Sequence, residues 1–384
     1  MKILFVTCSL VHGGAERQTI TLANRLAERG HSYHLAYVKD DHSQLERLRG
    51  AAGVHCLNAR RYLDRRSVAQ LTLLVEDVKP THVIGVNQYG LFYAWMAHRL
   101  SGSSAALGVT FHTTELRTFK EWVQMAYYRP LFWSADWLVF VCEAQRRYWN
   151  RRLLRGRRTD VIYNGIDVEH WTPVPETTRE QVRRALGFAP QDFVVGISAV
   201  LRPEKNHVQL VDAVSSLRSR GLPARALLIG DGEMRRAVEE HARSLGIADH
   251  VVITGLQQDV RPLVGACDAM ALCSTSVETF SLAALEAMAL ARPVVQSAIG
   301  GAAEMTQPGH DGFLYPVGDT RAMVERLAQL ADPAAAQRMG RNARASVESR
   351  FSEKAMVDRY EQALKELDGK RSRRGNVRKP AGAY

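Results

Sequence analysis

Two loops in the second half of the chain carry residue types that bind phosphate groups. Arg202 and Lys205 lie three residues apart in LRPEKN, directly after the apolar run 194–198. The segment 274–281 follows a second apolar run and leads into LAALEAMAL, a strong helix former. Backbone N–H groups at a helix N-terminus attract anions. The sequence therefore predicts an anion site formed by the two cations and by the N–H groups of Thr279, Phe280, Ser281 and Leu282.

The same helical segment carries two carboxylates. Glu278 precedes it, and Glu286 follows eight residues later, a little over two helical turns along. A carboxylate among Ala, Leu and Met is costly to bury unless its oxygens accept hydrogen bonds, and hydroxyl groups of a ligand can donate them. An exposed helical glutamate is the alternative interpretation of Glu286. Together with the anion site, the two carboxylates predict a ligand with a pyrophosphate and a polyhydroxylated group.

A pair of glycines marks a third loop, near the N-terminus. Gly13 and Gly14 lie in HGGAER, between the strand-like run 3–6 and a helical pattern. Without side chains, their N–H groups can approach an anion closely at the helix start. A simple tight turn is the alternative. The pattern lacks the G-x-G-x-x-G spacing and the acidic residue about 20 positions later, which argues against a nicotinamide-dependent oxidoreductase.

Short apolar runs alternate with amphipathic helical stretches along the chain, a pattern that predicts α/β folding with doubly wound parallel sheets. The predicted strands are 3–6, 34–38, 82–86, 107–111, 138–142, 161–163, 194–198, 226–229, 251–254, 269–273 and 293–296. A turn-rich stretch with Asn164, Gly165 and two prolines predicts domains at 1–172 and 173–351. A helix at 352–368 and a disordered basic tail at 369–384 complete the predicted organisation.

The composition is that of a folded protein: 384 residues, 46% hydrophobic and 24% charged. Five scattered cysteines favour neither a disulfide framework nor a four-ligand zinc site, and we expect a cytoplasmic location. No apolar stretch reaches the 18 residues of a membrane span. The first residues are interpreted as a buried strand rather than a signal peptide.

Taken in order, the motifs resemble those of the retaining glycosyltransferases of family 4. The resemblance rests on HGGAERQ, YNGID, LRPEKNH, GDGE, ETFSLAALEAMA with its Glu-x7-Glu spacing, RPVV, GGAAE and DGFLYP. It extends over nearly the whole chain. It implies a GT-B fold, in which two Rossmann-like domains face a central cleft, with an acceptor-binding N-terminal domain and a C-terminal helix that returns to it.

The resemblance also implies roles for the candidate site residues of the C-terminal domain. That domain is expected to bind a nucleotide-diphosphate sugar, linked to UDP or GDP. Glu286 would accept hydrogen bonds from the ribose hydroxyls, and Glu278 would contact sugar hydroxyls. Arg202 and Lys205 would bind the diphosphate. The chain departs from the family pattern at three positions: Val200 stands where the family often has arginine, and Thr279 and Ser281 replace two glycines.

In the N-terminal domain, the resemblance assigns roles to the glycine loop and to one histidine. Gly13 and Gly14 would close over the phosphates and the sugar. His112, in TFHTTE after the run 107–111, would lie on the acceptor side of the reacting sugar. The implied reaction transfers a hexosyl-type sugar with retention, and we expect front-side attack without a metal or cofactor. Cations and helix N–H groups would stabilise the charge on the leaving diphosphate.

A dense group of arginines accounts for much of the net charge of +11. Residues 146–158 contain seven arginines and no acid, and Tyr148 and Trp149 lie among them. We expect this segment to contact anionic lipid headgroups at the inner face of the cell membrane. The alternative is a solvated surface. The arginines are Arg146, Arg147, Arg151, Arg152, Arg155, Arg157 and Arg158.

The expected acceptor is a glycan or a lipid-linked molecule, in the assembly of a bacterial-type surface polysaccharide or glycolipid. Two other function classes stay open. One is another sugar-nucleotide enzyme of the same fold, an epimerase or a phosphorylase. The other is a basic module without catalysis that binds membrane or nucleic acid, although no nucleic acid is expected as a partner of the enzyme.

Overall fold

The computed structural model describes residues 1–11, 13–114, 116 and 118–377, with side chains as far as residue 369. The chain forms two compact units: residues 1–165 together with the chain from Lys354 onward, and Ile166–Glu353. The division precedes the predicted boundary near residue 172. The reason is that Ile166 pairs with the end of the second unit: its N–H donates to the Phe351 carbonyl at 2.9 Å, and its carbonyl accepts from the Glu353 N–H at 2.8 Å.

The first unit contains, in its described residues, a parallel sheet of seven strands in the order β3-β2-β1-β4-β5-β6-β7. Its central strands are continuous apolar runs because both of their faces are buried. The strands are β1 (Lys2–Thr7), β2 (Ser32–Tyr37), β3 (Gly53–Cys56), β4 (His82–Val86), β5 (Ala106–Phe111), β6 (Trp137–Phe140) and β7 (Thr159–Val161).

Helices cover both faces of this sheet. They are α1 (Gly14–Glu28), α2 (Arg65–Val78), α3 (Asn87–Leu100), α4 (Phe119–Ser134) and α5 (Glu143–Asn150). The C-terminal helix (Glu353–Val377) belongs to the same unit and buries Val357, Tyr360 and Leu364 in its core. The Tyr360 ring lies edge-on to Trp137 with centroids 5.7 Å apart.

The C-terminal helix continues beyond the end that the sequence predicted near Gly369. Residues 369–377 are helical where disorder was expected. Lys and Arg, which are common in this segment, are good helix formers, and the first proline after Leu367 is Pro380. Residues 378–384 of the predicted tail lie outside the described residues.

The second unit contains a parallel sheet of six strands in its described part, in the order β10-β9-β8-β11-β12-β13. The strands are β8 (Phe193–Ser198), β9 (Ala224–Ile229), β10 (Val251–Ile253), β11 (Ala269–Leu272), β12 (Val294–Ser297) and β13 (Gly312–Tyr315). The helices are α6 (Glu176–Ala185), α7 (His207–Ser219), α8 (Arg235–Ser244), α9 (Arg261–Ala266), α10 (Leu282–Ala289), α11 (Ala302–Met305), α12 (Thr320–Gln329) and α13 (Pro333–Arg350).

Strand order determines which loops meet in the second unit. β8 and β11 are neighbours although about 70 residues of chain separate them. The loop after β8 carries Arg202 and Lys205, and the loop after β11 carries Glu278. Because both loops leave the carboxyl ends of parallel strands, they lie side by side, which is where open parallel sheets bind ligands. Among the described residues, no helix combines the length and apolarity needed to span a bilayer.

Candidate active site

The charged residues of these two loops contact each other. Lys205 Nζ donates to Glu278 Oε2 at 2.6 Å, and Ser274 Oγ donates to the same oxygen at 3.0 Å. The backbone joins the loops as well, because the Thr275 N–H donates to the Glu204 carbonyl at 2.9 Å. The Lys205 and Glu278 side chains keep 27% and 16% of their surface exposed. A cation and a carboxylate are thus held together at a surface that a ligand can reach.

The helix start beside this pair is formed as the sequence predicts. Ser281 caps α10, and its hydroxyl accepts from the Ala284 N–H at 3.4 Å. The preceding residue anchors the loop: Phe280 is buried and meets the Phe351 ring edge-on, with centroids 5.4 Å apart. The first helical residue is Leu282. The structure therefore brings the N–H groups of Thr279–Leu282 together with Lys205 and Glu278 at one edge of the sheet.

The backbone around Glu278 is tightly constrained. Val277 has φ 57°, a left-handed conformation that costs energy in a β-branched residue. Gly300 also has positive φ, and a Cβ at this position would lie 2.0 Å from the Glu278 carbonyl oxygen. The neighbouring Gly301 N–H donates to the Thr279 carbonyl at 2.7 Å. The glycine pair of GGAAE, quoted above only as a motif, thus holds the Glu278 loop in place.

Glu286 lies in the middle of α10 and is 6% exposed. The interpretation of Glu286 as an exposed helical glutamate is therefore wrong. Its helix neighbours Leu285, Ala287 and Met288 are fully buried. A carboxylate in such surroundings is stabilised by hydrogen-bond donors or by positive charge.

Arg202 does not join the cluster. Its side chain is exposed and forms no ion pair with any described residue, although its carbonyl accepts from the Lys205 N–H at 3.0 Å. Val200, at the position where the family often has arginine, is 47% exposed. Lys205 is thus the cation that the structure places beside Glu278.

Sequence reasoning missed His207, the first residue of α7. It is 2% exposed, and neither ring nitrogen has a hydrogen-bond partner among the described residues. Burial, and to a smaller extent the positive charge of Lys205, lowers the pKa of His207 to about 4. The imidazole is therefore neutral at neutral pH. The sequence did contain a signal for this residue, because His207 is the final histidine of the motif LRPEKNH.

In the first unit, the glycine loop forms the start of α1. Gly13 is the N-cap and Gly14 is the first helical residue. A Cβ on Gly13 would lie 2.2 Å from Glu16 Oε2, and burial raises the pKa of this glutamate. Gln18 Nε2 donates to the Gly165 carbonyl at 3.0 Å, and the Gly165 N–H donates to Gln18 Oε1 at 3.2 Å. HGGAERQ and YNGID are thus joined within this unit; His12 lies outside the described residues.

His112 follows β5 directly, as the sequence predicts. Its N–H donates to Asn87 Oδ1 at 2.8 Å, and Asn87 has φ 58° at the start of α3. Gln145 Nε2 donates to the Thr113 carbonyl at 3.0 Å and orders the same loop. Burial lowers the pKa of His112 to about 4. Asn87 was missed, although an asparagine directly after a strand is a frequent site of left-handed backbone.

Ion pairs occupy part of the arginine cluster. Arg152 instead stacks over the Tyr148 ring, with its guanidinium carbon 3.6 Å from the centroid. Arg147, Arg151 and Arg155 are exposed. The ion pairs are Arg146 with Glu143 at 2.7 Å, Arg157 with Asp136 at 3.0 Å and Arg158 with Asp160 at 2.6 Å.

The sequence matches two family descriptions that together cover most of the chain. Residues 12–170 match "Glycosyltransferase Family 4", and residues 178–346 match "Glycosyl transferases group 1". Two parallel α/β units with these matches define a glycosyltransferase of GT-B fold. The chain belongs to the family 4 glycosyltransferases.

Individual relatives agree with this class. The putative glycosyltransferase EpsD of Bacillus subtilis is 29% identical over 65% of both chains. A GDP-mannose-dependent phosphatidylinositol monomannoside mannosyltransferase of Mycolicibacterium smegmatis is 31% identical over 54% of this chain and 56% of the relative. The chain thus matches less than two thirds of the length of these curated relatives. Anabaena HepE, solved in complex with UDP, shares the fold: TM-score 0.86 and 24% identity, over 95% of this chain and 100% of HepE.

Proposed function

We propose that the protein transfers a hexosyl-type sugar, with retention of anomeric configuration, from a nucleotide-diphosphate sugar to a glycan or lipid-linked acceptor. The observation that carries the proposal is the 2.6 Å pair of Lys205 and Glu278 at the start of α10. A cation, helix N–H groups and a carboxylate at one place match the two halves of such a donor: diphosphate and sugar. UDP-bound HepE and the GDP-mannose-dependent relative support a UDP- or GDP-linked donor.

In this proposal, each candidate site residue of the second unit has its own function. Lys205 and the N–H groups of α10 bind the diphosphate. Glu278 Oε2 accepts from Lys205 and Ser274, which orients the carboxylate so that Oε1 accepts from a sugar hydroxyl. Glu286, buried on the same helix, accepts from the ribose hydroxyls. The exposed Arg202 reaches the diphosphate from solvent.

The proposed transfer reaction follows from the charges of the site residues and of the leaving diphosphate. The bond between the anomeric carbon and the diphosphate oxygen breaks, and negative charge develops on the leaving group, where Lys205 and the helix N–H groups stabilise it. The acceptor oxygen bonds to the anomeric carbon from the same face, and its proton passes to the departing phosphate oxygen. His112, neutral with a pKa of about 4, acts as a hydrogen-bonding group on the acceptor side. Because Lys205 supplies the positive charge, we propose that no metal is needed.

Nucleotide binding tests the site directly. We expect one of UDP, GDP or ADP, or one of their sugars, to stabilise the protein by roughly 2.7 kcal/mol at a hundred times Kd. Glu286→Ala should abolish this shift. The matched control is Glu325→Ala, which removes an exposed helical glutamate that pairs with Arg220 in the same unit. The site assignment is wrong if both variants bind nucleotide as the unmodified protein does.

Turnover tests the reaction. With the donor identified by binding, proton NMR of the product should show the donor's anomeric configuration, and EDTA should leave the rate unchanged. An inverted product would refute retention, and loss of activity in EDTA that is restored by a divalent cation would refute metal independence. Release of the epimerised nucleotide sugar, or phosphate-dependent cleavage of a glycan, would identify one of the other enzymes of this fold.

A further inference from the structure

Helix α4 is apolar on two opposite faces. Its inner face packs into the core of the first unit through Met125, Tyr128 and Phe132, and the Phe132 ring lies 5.0 Å from that of Phe111. Its outer face is exposed in the structure. The residues of this exposed stripe are Phe119, Val123, Ala126, Tyr127, Pro130 and Trp133.

The exposed stripe is continuous and free of acidic residues. At 100° per residue, its six side chains fall within about 120° of the helix circumference. Phe119 is 84% exposed, Tyr127 64%, and Val123 56%. Lys120 lies at the edge, and Glu121 is turned to the helix start, where it forms a capping box with Thr118. Surface helices normally place polar residues outward, so an apolar outer face along the full helix indicates a binding surface.

A strained loop extends the stripe beyond the end of α4. Leu153 has φ 61°, which is unfavourable for a leucine, and its side chain is 63% exposed. Trp133 Nε1 donates to the Leu153 carbonyl at 2.8 Å. The hydrogen bond therefore holds a second exposed apolar residue next to Trp133, at the cost of backbone strain.

The segment of the chain that carries this apolar surface is basic. Residues 119–158 contain nine Lys or Arg and three Asp or Glu. Arg152 lies against two aromatic rings of this segment, 3.6 Å from the Tyr148 centroid and 5.2 Å from that of Trp122. Arg151 and Arg155, on either side of Leu153, are exposed and form no ion pair among the described residues.

We propose that the exposed stripe, Leu153 and the flanking cations dock the first unit on an anionic bilayer surface. Aromatic and apolar side chains along a helix with cations at its edge match the boundary between acyl chains and headgroups. Lys120, Arg151 and Arg155 bind lipid phosphates, each contributing attraction that falls with salt. The docking surface is distinct from the nucleotide site and does not depend on the proposed donor.

Vesicle flotation tests the docking surface on the full chain. Vesicles of phosphatidylcholine with 30% phosphatidylglycerol should bind the protein, and vesicles of phosphatidylcholine alone should bind it at least tenfold more weakly. Val123→Glu/Tyr127→Glu should reduce binding at least tenfold. The matched control, Leu73→Glu/Leu100→Glu, adds the same charge at two leucines that are 64% and 65% exposed on α2 and α3, and should bind normally.

A second pair of variants tests how much the arginines contribute to vesicle binding. Arg151→Glu/Arg155→Glu should weaken binding to the anionic vesicles and flatten its salt dependence, whereas Arg184→Glu/Arg236→Glu, at two exposed positions of the second unit, should leave it unchanged. Loss of the vesicle-induced blue shift of tryptophan fluorescence in Trp133→Phe would support insertion of the stripe.

Four outcomes would overturn the proposal. They are no binding by the unmodified protein, equal loss in the stripe and control variants, loss in the arginine variant alone, and a dimer that Val123→Glu/Tyr127→Glu converts to a monomer without any vesicle binding. The last result would assign the stripe to a second copy of the chain. Unchanged thermal stability and nucleotide binding show that a variant is folded.

Discussion

Lys205 lies against Glu278, a carboxylate of the proposed donor site. Its ammonium group lies 2.6 Å from Glu278 Oε2, with Ser274 on the same oxygen. Removing a preorganised charge from a leaving group typically costs two to three orders of magnitude in rate. We therefore expect Lys205→Ala to lower kcat by about 10²- to 10³-fold with a smaller change in KM, measured by nucleotide release in the presence of acceptor.

Glu278→Gln provides the complementary measurement. If the two residues act as a pair, the loss in Lys205→Ala/Glu278→Gln should be smaller than the product of the single losses. Arg202→Ala is the matched control, because Arg202 is a cation on the same loop that pairs with no carboxylate in the described part of the chain, and we expect a smaller effect on kcat. A larger loss in Arg202→Ala than in Lys205→Ala would reverse the assignment of the main cation.

Buried His207 makes the stability of the second unit depend on pH. Its pKa is about 4 in the folded state because of burial, and the ordinary value is 6.5. Between these values the unfolded chain binds more protons, so the stabilisation is complete above pH 6.5 and is lost as the pH falls towards 4. The difference corresponds to roughly 3 kcal/mol.

We expect His207→Leu to lose less stability than the unmodified protein between pH 7 and pH 4.5 in urea titrations. His310→Leu, at an exposed position of the same unit, is the control and should follow the unmodified protein. Parallel pH profiles for all three proteins would contradict the prediction.

At the scale of elements, the loop between β11 and α10 is held by a contact that only glycine permits. Gly300 has φ +57°, and a Cβ there would lie 2.0 Å from the Glu278 carbonyl oxygen. Gly309, in the same unit, also has positive φ but nothing within 4 Å of such a Cβ. The two positions therefore separate backbone strain from displacement of the Glu278 loop.

We expect Gly309→Ala to cost about 1 kcal/mol of stability and to leave nucleotide binding unchanged. Gly300→Ala should cost more and weaken nucleotide binding at least tenfold, because Glu278 and the start of α10 must move. Thermal denaturation and nucleotide titration measure both effects. Equal nucleotide affinity in the two variants would show that the Glu278 loop tolerates the shift.

The elements that the sequence predicted are those with a continuous apolar run. The run 82–86 coincides with β4, and 194–198 and 269–273 match β8 and β11 to within one residue at either end. β3 was missed because its four residues, GVHC, are only partly buried and contain no such run. β13 was quoted as the motif DGFLYP without being identified as a strand.

The site residues likewise have some features that the local sequence predicts and others that it does not. The sequence predicted that Lys205 and Glu278 follow strands and that Glu286 lies on a helix, because strand ends and helix starts follow from local patterns. The 2.6 Å pair of Lys205 with Glu278 required the order of β8 and β11 in the sheet, which no local pattern contains. Burial of Glu286 and His207 depends likewise on packing against distant segments.

At the scale of the whole molecule, the first unit is built from both ends of the chain. The C-terminal helix contributes Met356, Val357, Tyr360, Leu364 and Leu367 to a core cluster that includes strands β1 and β2. Polar contacts fix its position: Glu361 pairs with Arg29 at 2.8 Å, and the cations around Glu361 lower its pKa to about 2.

This arrangement predicts how fragments of the chain behave. Burying five large apolar side chains contributes on the order of 10 kcal/mol, comparable with the whole stability of a domain. Fragment 1–165 should therefore aggregate or stay unfolded, whereas 166–353 should fold alone. A peptide of residues 353–377 added in trans should restore cooperative unfolding of 1–165, followed by circular dichroism, and a chain ending at residue 369 should be as stable as the full protein. Cooperative unfolding of 1–165 without the peptide would show that the helix covers a core that is already complete.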